Sequence, residues 1–365
     1  MHIIINQEDL VKAINIAQKA VSTSNMQILS GILLSARENK LTLMSTDFDI
    51  SIDTSLACTV KEEGALVVSS NIFGDIIKKL PKRPIEISSY NDSIKIHSGD
   101  IEFNLSSLDT SEFPSMPVVE SENHISLKES ILVEAIDHTL FSASIDDTRP
   151  NLMGVLLELR PGGVNFVSLD GYRLSRYSLA MEGEGMKIII PSKSLQELRK
   201  LIGDEEELRI SANDSHVLFE FKDTKFYSRI LEGQFVDYDQ LLGANLPYEA
   251  FINRDDFVAA LERISLLASS DKAKLVKMTI GDGIMEFESN SEIGKGYEKI
   301  SCDYEGAPLK IAFNNRYILD GARAIKSKTI KMGLDSPVSP AILRPVGDET
   351  DYTYLVLPVK LKSDD

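Results

Sequence analysis

Residues 149–174 read RPNLMGVLLELRPGGVNFVSLDGYRL, and this stretch predicts an antiparallel β-hairpin. Apolar side chains alternate with their neighbours over residues 155–159, as in a half-buried strand. Pro and Gly at residues 161–163 indicate a tight turn, after which the alternation resumes over 164–168. Asp170 and Gly171 end the second alternating segment, so we expect the chain to leave the hairpin through an exposed polar turn.

The same hairpin occurs three times in the chain. Residues 31–47 align with residues 154–170 without a gap, at an offset of 123 residues from Gly31 to Gly154. A third copy covers residues 276–290, and Val276 follows the corresponding Ile32 by 244 residues. This period of about 122 residues, in a chain too long for one ordinary core, predicts three domains. We expect them at 1–119, 122–244 and 245–365.

Each repeat also contains two amphipathic helical patterns. The first has apolar stripes that begin at Leu10, Leu132 and Phe257. The second follows a short apolar strand and covers residues 71–83, 192–203 and 314–328. These helices are too few and too short to cover both faces of a parallel sheet. The predicted class is therefore α+β, with antiparallel sheet and two helices in each of three domains.

Composition excludes several classes of protein. The hydrophobic content of 43% and the charged content of 26% are ordinary for a folded globular chain. No apolar run approaches the roughly 18 residues of a membrane span, and the first residues lack the basic start of a signal peptide, so we expect a cytoplasmic protein without membrane contact. Cys58 and Cys302 belong to no cysteine motif and are expected to be reduced thiols.

The sequence contains no motif that carries catalysis. GxxxxGK[ST], GxSxG, HExxH and GxGxxG are all absent, and the five histidines have no metal-binding spacing. The carboxylate clusters at 146–147 and 205–207 read as solvated acidic turns. We therefore predict no catalytic residues, no metal site and no cofactor.

Positive charge concentrates on the second helix of each repeat. The three segments carry +3, +2 and +3, which makes +8 within a chain of net charge −17. Cations at helix C-termini also complement the helix dipole, and that reading remains open for any single helix. If the repeats close into a ring, these helices present one basic lining, which would contact backbone phosphate without reading sequence.

Several short stretches are similar to those of a known family. They are residues 28–33, 147–150, 154–156, 170–174, 336–340 and 354–359. Together they resemble the bacterial DNA polymerase III beta subunit, the DNA sliding clamp, over essentially the whole chain. The resemblance implies a non-catalytic processivity factor whose three-domain chains dimerise head to tail into a ring around duplex DNA. It also implies a nucleoid-associated protein.

The resemblance further implies a cleft between the second and third domains that binds short linear peptides. The partners would be the replicative polymerase, the clamp loader, repair polymerases, and ligase or mismatch-repair proteins. The implied cleft residues are Leu152, Leu169, Gly171, Tyr172, Arg173, Leu174, Val236, Gln240, Leu241, Val338, Pro340, Leu355, Val356, Leu357, Pro358 and Val359.

Two further sets of residues follow from the same ring. The expected DNA-facing residues are Lys12, Lys19, Lys78, Lys79, Lys82, Arg83, Arg149, Lys193, Arg199, Lys200, Arg316, Arg323 and Lys326. The expected dimer interface places Phe103 and Leu105 against Leu266 and Leu267, because Leu266 lies outside the apolar stripe of its helix. Two different surfaces that meet head to tail can close a ring.

Two positions depart from the family pattern. Val236 follows Phe235 where many members have Pro, which affects one wall of the cleft. Residues 23–27 lack the usual basic residue and Pro, which affects a DNA contact. A repeat-built peptide scaffold without DNA function is the alternative from another class, and an enzyme is a third. The basic second helices favour the clamp.

Overall fold

The computed structural model describes residues 1–22, 26–120, 124–183, 185–203, 206–268, 274–292, 294–347 and 351–361. The sequence expectations on residues 23–25, on Glu205 and on residues 122–123 at the start of the second predicted domain lie outside the described residues. The fold consists of three modules with nearly the same order of elements. The modules are defined here by their strands and helices.

The first module begins with a strand and a helix and ends with three strands. Its elements are β1 (His2–Asn6), α1 (Gln7–Ala17), β2 (Gly31–Arg37), β3 (Lys40–Thr46), β4 (Ile50–Ala57), β5 (Thr59–Glu62), β6 (Gly64–Ser69), α2 (Ser70–Lys79), β7 (Pro84–Tyr90), β8 (Ser93–Ser98) and β9 (Ile101–Ser106).

The second module repeats this order without the counterpart of β5. Its elements are β10 (His124–Lys128), α3 (Glu129–Thr139), β11 (Gly154–Arg160), β12 (Gly163–Leu169), β13 (Arg173–Leu179), β14 (Met186–Pro191), α4 (Ser192–Arg199), β15 (Glu207–Ala212), β16 (His216–Phe221) and β17 (Thr224–Arg229).

A short helix, α5 (Tyr238–Leu242), precedes the third module. The elements of that module are β18 (Tyr248–Asn253), α6 (Arg254–Ala268), β19 (Leu275–Gly281), β20 (Ile284–Ser291), β21 (Gly294–Tyr304), β22 (Leu309–Asn314), α7 (Asn315–Ala324), β23 (Thr329–Leu334), β24 (Ala341–Val346) and β25 (Asp351–Val356). The α+β class and the antiparallel sheets predicted from the sequence are confirmed.

The sequence interpretation missed one strand after each hairpin. These strands are β4, β13 and β21, and each pairs antiparallel with the second strand of its hairpin. The interpretation also omitted β23 and β24 in the third module. The strand β13 shows the reason, because its sequence RLSRYSL buries Arg173 and Ser175 beside Leu174. Buried polar side chains remove the alternation that marks a strand.

The described residues form two compact units, and the second module contributes to both. The first unit contains residues 1–133 and 193–230, and the second contains 134–192 and 231–365. In the first unit, β4 pairs with β17, which joins strands of the first and second modules into an eight-stranded sheet. In the second unit, β13 pairs with β25 in the same way within a twelve-stranded sheet.

The two helices of the first module and the two of the third module each cover an apolar core. In the first module, Leu10 and Ile14 of α1 and Phe73 and Ile77 of α2 are fully buried with the β2–β3 hairpin. In the third, the stripe that begins at Phe257 of α6 is buried in the corresponding cluster. Burial of each large apolar side chain contributes on the order of 1.5–3 kcal/mol, so the periodic stripes hold the helices on the sheets.

Candidate functional site

An Asx-type turn ends β12 and exposes an aromatic side chain. The Oδ1 atom of Asp170 accepts hydrogen bonds from the backbone N–H groups of Tyr172 (2.9 Å) and Arg173 (3.1 Å). Gly171 has φ +93°, a backbone conformation that glycine adopts without steric cost. The carbonyl of Tyr172 then accepts from the backbone N–H of Leu357 at 2.8 Å, so the chain after β25 runs beside the turn.

A buried apolar cluster lies under this turn, and we call it the cleft floor. It consists of Leu152, Leu156, Val167, Leu169, Leu174, Ile189, Tyr238, Ile342 and Leu355, with Leu231, Phe235, Leu242 and Leu246 packed against it. Four of the expected cleft residues are members, namely Leu152, Leu169, Leu174 and Leu355. Tyr238 and Ile342 were not anticipated, because helix α5 and the pairing of β24 with β25 bring them to the cluster from distant parts of the sequence.

Apolar side chains from the same segments remain exposed around the floor. Tyr172 is 60% exposed, Val338 is 64% exposed and Leu357 is 40% exposed, and Val236 and Leu241 are similar. Gln240 is exposed beside them, while Pro340, Pro358 and Val359 are half-buried. Exposed apolar groups next to a buried apolar floor can bind the hydrophobic residues of a peptide.

Arg173 supports the turn and is itself only 7% exposed. Its Nε atom donates to Asp170 at 3.0 Å, Nη1 donates to Asp320 at 2.7 Å and Nη2 donates to the carbonyl of Phe141 at 2.6 Å. Burial opposes its charge, but Tyr354, Asp320 and Asp170 more than offset that effect and raise the pKa of the guanidinium. Arg173 therefore holds β13 in place through these three hydrogen bonds.

Val356 also differs from its expected role. Its side chain is fully buried in the core of the third module, on the opposite face of β25 from Leu355. The alternation of side chains along a strand explains the difference. Beyond β25, the backbone N–H of Val359 donates to the carbonyl of Ala312 at 2.7 Å, which fixes the end of this segment.

A polar network positions α5, which carries Gln240 and Leu241. The hydroxyl of Tyr238 donates to Glu158, and Arg160 pairs with Asp239 at 2.6 Å. Burial and the hydrogen bond to Glu158 raise the pKa of the Tyr238 hydroxyl. The pKa of Asp239 is lowered by its hydrogen bond with Arg160, so this network is charged at neutral pH. Sequence reasoning gave no signal for it.

Most of the expected DNA-facing cations lie on or just after the helices, and many form ion pairs. The pairs are Lys12 with Asp9 (3.2 Å), Lys82 with Glu8 (2.8 Å), Arg149 with Asp146 (3.6 Å), Lys193 with Asp47 (2.7 Å), Lys200 with Glu197 (2.6 Å), Arg316 with Asp320 (3.8 Å), Arg323 with Glu262 (2.7 Å) and Lys326 with Glu134 (3.0 Å). Exposed pairs contribute only about 0–1 kcal/mol, so phosphate can compete for these cations.

The remaining cations of this set fall into two groups. Lys78 donates to Gln18 at 3.0 Å, and Lys79 and Arg199 lie in the last turns of α2 and α4. Lys19 lies in a 3₁₀ turn just after α1. Arg83 is different, since its Nε donates to Ser98 at 3.0 Å and its Nη2 donates to the Ser98 carbonyl. Arg83 therefore fastens the β8–β9 turn.

The expected interface residues lie on an edge strand and at a helix end. Strand β9 is the edge of the five-stranded sheet, with Phe103 exposed and Leu105 half-buried. Leu266 is 74% exposed near the end of α6. Leu267 packs over β21, where a Cβ atom added to Gly296 would lie 3.0 Å from its Cδ1 atom.

The described residues contain no group of three or more His, Cys, Asp or Glu side chains that could hold a metal ion. Within the same part of the chain, no helix has the length and apolar character needed to cross a membrane.

Comparison with known proteins gives matches to all three modules. The family models of the DNA polymerase III beta subunit match this chain in three parts. The model of the N-terminal domain matches residues 1–117, that of the central domain matches 126–237 and that of the C-terminal domain matches 240–360. The beta sliding clamp of Staphylococcus aureus is 34% identical over 376 residues, with 99% of each chain covered.

Solved structures give the same result. The DNA polymerase sliding clamp of Bacillus subtilis superposes with a TM-score of 0.95 and 31% identity over 99% of this chain and 100% of that chain. The beta subunit from the DNA polymerase of Streptococcus pyogenes gives a TM-score of 0.95 and 29% identity with the same coverage.

Three repeated α+β modules of this order are the architecture of a DNA clamp. The chain belongs to the DNA polymerase III beta subunit family. It is a DNA sliding clamp, a non-catalytic processivity factor of DNA replication. Its partners are accordingly DNA, a DNA polymerase and a second copy of the chain.

Proposed function

We propose that two copies of this chain close head to tail into a ring, with three domains each at 1–119, 122–244 and 245–365. The ring encircles duplex DNA and tethers the replicative polymerase by topology. The observation that carries the proposal is the recurrence of one strand pair, since the last strand of one module pairs with the strand after the hairpin of another. The pairs are β17 with β4 and β25 with β13.

The third pair of this kind is absent from the described residues, and we propose that it forms between two chains. Strand β9 is the counterpart of β17 and β25, and it is an edge strand. Strand β21 is the counterpart of β4 and β13. One edge of its residues Gly294 to Ser301 pairs with β20, and the other edge of these residues pairs with no strand among the described residues. By analogy with the pairs Phe226–Ile52 and Ser228–Ile50, Phe103 would lie opposite Gly296 and Leu105 opposite Gly294 of the other chain.

The two glycines fit the apolar side chains that would face them. Strand β9 presents Phe103 and Leu105, and neither Gly294 nor Gly296 has a side chain to oppose them. Leu267 already covers Gly296, and the exposed Leu266 is adjacent to it in sequence. The pairing would therefore gather the four expected interface residues at one junction.

Inside the ring, the cations of the helices would contact phosphate oxygens. Such contacts carry no sequence information, which permits sliding. The overall negative charge of the chain opposes adsorption elsewhere on the surface. A clamp on the chromosome would be found at the nucleoid, in the cytoplasm.

We further propose that the cleft floor and its exposed rim bind short linear motifs of partner proteins. The replicative polymerase, the clamp loader, repair polymerases, ligase and mismatch-repair proteins are the candidates. An anchor residue of the motif would pack on Leu174 and Leu355, and Tyr172 and Leu357 would flank it.

The topological mechanism is tested by loading the protein onto nicked circular DNA with a clamp loader. Linearising the circle should release the bound protein, because a ring slides off free ends. The control is a circle that carries a tightly bound protein on each side of the cut site. After cutting, these proteins block both ends, and the clamp should remain on the DNA. Retention on open linear DNA would contradict encirclement.

A further inference from the structure

A second groove lies in the first unit, whereas the cleft floor belongs to the second unit. It has a volume of about 680 Å³ and is lined by Thr46, Phe48, Ser51, Pro114, Ser115, Met116, Pro117, His216 and Arg229. None of these residues was assigned a role above. The groove is bordered by the turn between β3 and β4, the end of β17 and the segment that follows β9.

The hydrogen bonds show that this groove is the internal counterpart of the cleft. The Oδ1 atom of Asp47 accepts from the backbone N–H groups of Asp49 (3.1 Å) and Ile50 (2.7 Å), as Asp170 does in its own turn. The backbone N–H of Arg229 donates to the carbonyl of Asp49 at 2.9 Å, as that of Leu357 does to Tyr172 at 2.8 Å. Arg229 therefore occupies the position of Leu357.

The other lining residues also match cleft positions. The strand pairings and the repeat offset place Thr46 at the position of Leu169, Ser51 at Leu174 and His216 at Pro340. Phe113 and Phe235, which precede Pro114 and Val236, pack against equivalent apolar clusters. The shape of the cleft is thus repeated with a more polar and cationic lining.

Phe48 has an unusual backbone conformation. It occupies the position of Gly171, and its φ of +73° is close to the +93° of that glycine. A bulky side chain rarely adopts this conformation, which costs on the order of 1 kcal/mol or more. Even so, the phenyl ring is half exposed and lines the groove. An aromatic side chain kept at such a position indicates a contact with something outside the chain.

The charge of the groove defines the ligand. Arg229 is exposed and makes no ion pair with the described residues, and His216 lies in the paired position on β16. Asp47 in the adjoining turn is already paired with Lys193 at 2.7 Å, and Asp49 in the same turn accepts from the backbone N–H of Arg229 through its carbonyl. A guanidinium without an acidic partner attracts a carboxylate, and the neighbouring Phe48 and Met116 offer an apolar contact.

We propose that this groove is a second peptide-docking site, for an acidic linear segment of a partner protein. A carboxylate of the segment pairs with Arg229, and an adjacent aliphatic or aromatic residue packs on Phe48 and Met116. The site uses the backbone frame of the cleft with a different side-chain chemistry, so the two sites select different motifs and each chain of the ring can hold two partners at once.

The test is a selection from a random peptide library on the immobilised full chain carrying Leu357→Asp, which blocks the cleft. Recovered peptides should be enriched in Asp and Glu next to an aliphatic or aromatic residue. Fluorescence anisotropy of the recovered peptides should show a loss of about tenfold or more with Arg229→Ala. Arg229→Glu should shift the selection toward Lys and Arg.

Phe48→Gly separates binding from stability. Glycine adopts φ +73° without strain, so thermal unfolding should be unchanged or slightly higher while peptide affinity falls. Absence of acidic enrichment, or enrichment unaffected by Arg229→Glu, would overturn the proposal. Weaker duplex DNA binding by Arg229→Glu without peptide enrichment would also overturn it, by making Arg229 a DNA contact. Failure of a polymerase peptide to bind the unmodified cleft would contradict the proposed function alone.

Discussion

Arg173 and Asp320 form an ion pair in which Nη1 of the buried guanidinium donates to Oδ2 of the carboxylate at 2.7 Å. Arg173→Ala removes a guanidinium donor from two carboxylates and a carbonyl and should reduce the free energy of unfolding by about 3 kcal/mol. Arg316→Ala is the matched control, because Arg316 reaches the same Asp320 at 3.8 Å from an exposed position and should cost less than about 1 kcal/mol. Urea unfolding measures both, and equal losses would refute the structural role of Arg173.

The cleft rim should contribute to peptide affinity. Leu357→Ala removes an exposed leucine beside Tyr172 and should weaken binding of a polymerase-tail peptide by about tenfold or more. Val346→Ala changes a similarly exposed aliphatic residue on β24 and should leave affinity unchanged. Isothermal titration calorimetry compares the two variants. Unchanged affinity in Leu357→Ala would remove this residue from the binding site.

The Lys and Arg side chains on the helices should contribute to DNA binding by contacting backbone phosphates. Lys79→Ala on α2 should lower the slope of log affinity against log salt by about 0.9, the value for one phosphate contact on duplex DNA. Lys95→Ala, on strand β8 of the same unit, is the control and should leave the slope unchanged. Fluorescence anisotropy over a salt series gives both slopes. A similar decrease of the slope in the two variants would mean that DNA does not contact the α2 helix in preference to strand β8.

His138 should make stability depend on pH. Its pKa is lowered by burial, against the opposing effects of the Glu134 carbonyl hydrogen bond (2.7 Å) and of the charges on Glu134 and Asp137; Lys326 lowers it further. Because the folded pKa lies below the unfolded value, the unfolded chain binds a proton first as pH falls. Stability is therefore complete above the unfolded pKa of about 6.5 and decreases below it.

The His138→Gln variant tests this assignment. The urea midpoint of the natural chain should fall between pH 7.5 and pH 5.5, and the fall should be smaller in the variant. His216→Gln is the control variant. The pKa of His216 is also lowered by burial, but His216 is less buried than His138. Identical pH profiles for the natural chain and His138→Gln would contradict the assignment.

The parts of the fold with regular alternation could be predicted from the sequence. The three hairpins, the apolar helix stripes and most flanking strands follow from local periodicity. Strands β4, β13 and β21 could not, because residues such as Arg173 are buried by ion pairs and not by their own apolarity. Strands β4 and β13 also join neighbouring modules, through β17 and β25, so these junctions could not be predicted from local sequence patterns.

The candidate cleft was predictable to a similar extent. The resemblance identified Leu174 and Leu355 of the floor, whereas Ile342 required the pairing of β24 with β25 and Tyr238 required the packing of helix α5. The side-chain direction of Val356 depends on the exact phase of β25, which local sequence does not determine. The ion pairs of the basic helices depend on acids from other elements, such as Glu262 for Arg323.

The pairing of β9 with β21 of a second copy is tested most directly by disulfide trapping. Leu105→Cys with Gly294→Cys, in a chain with Cys58→Ser and Cys302→Ser, places one cysteine on each strand at the position equivalent to Ser228 and Ile50. That pair precedes the hydrogen-bonded Arg229–Asp49 pair, so it is the closely spaced kind that a disulfide can bridge. Oxidation should give one species of dimer mass on a denaturing gel, with few free thiols. Monomers, or a ladder of longer chains, would contradict closure by this junction.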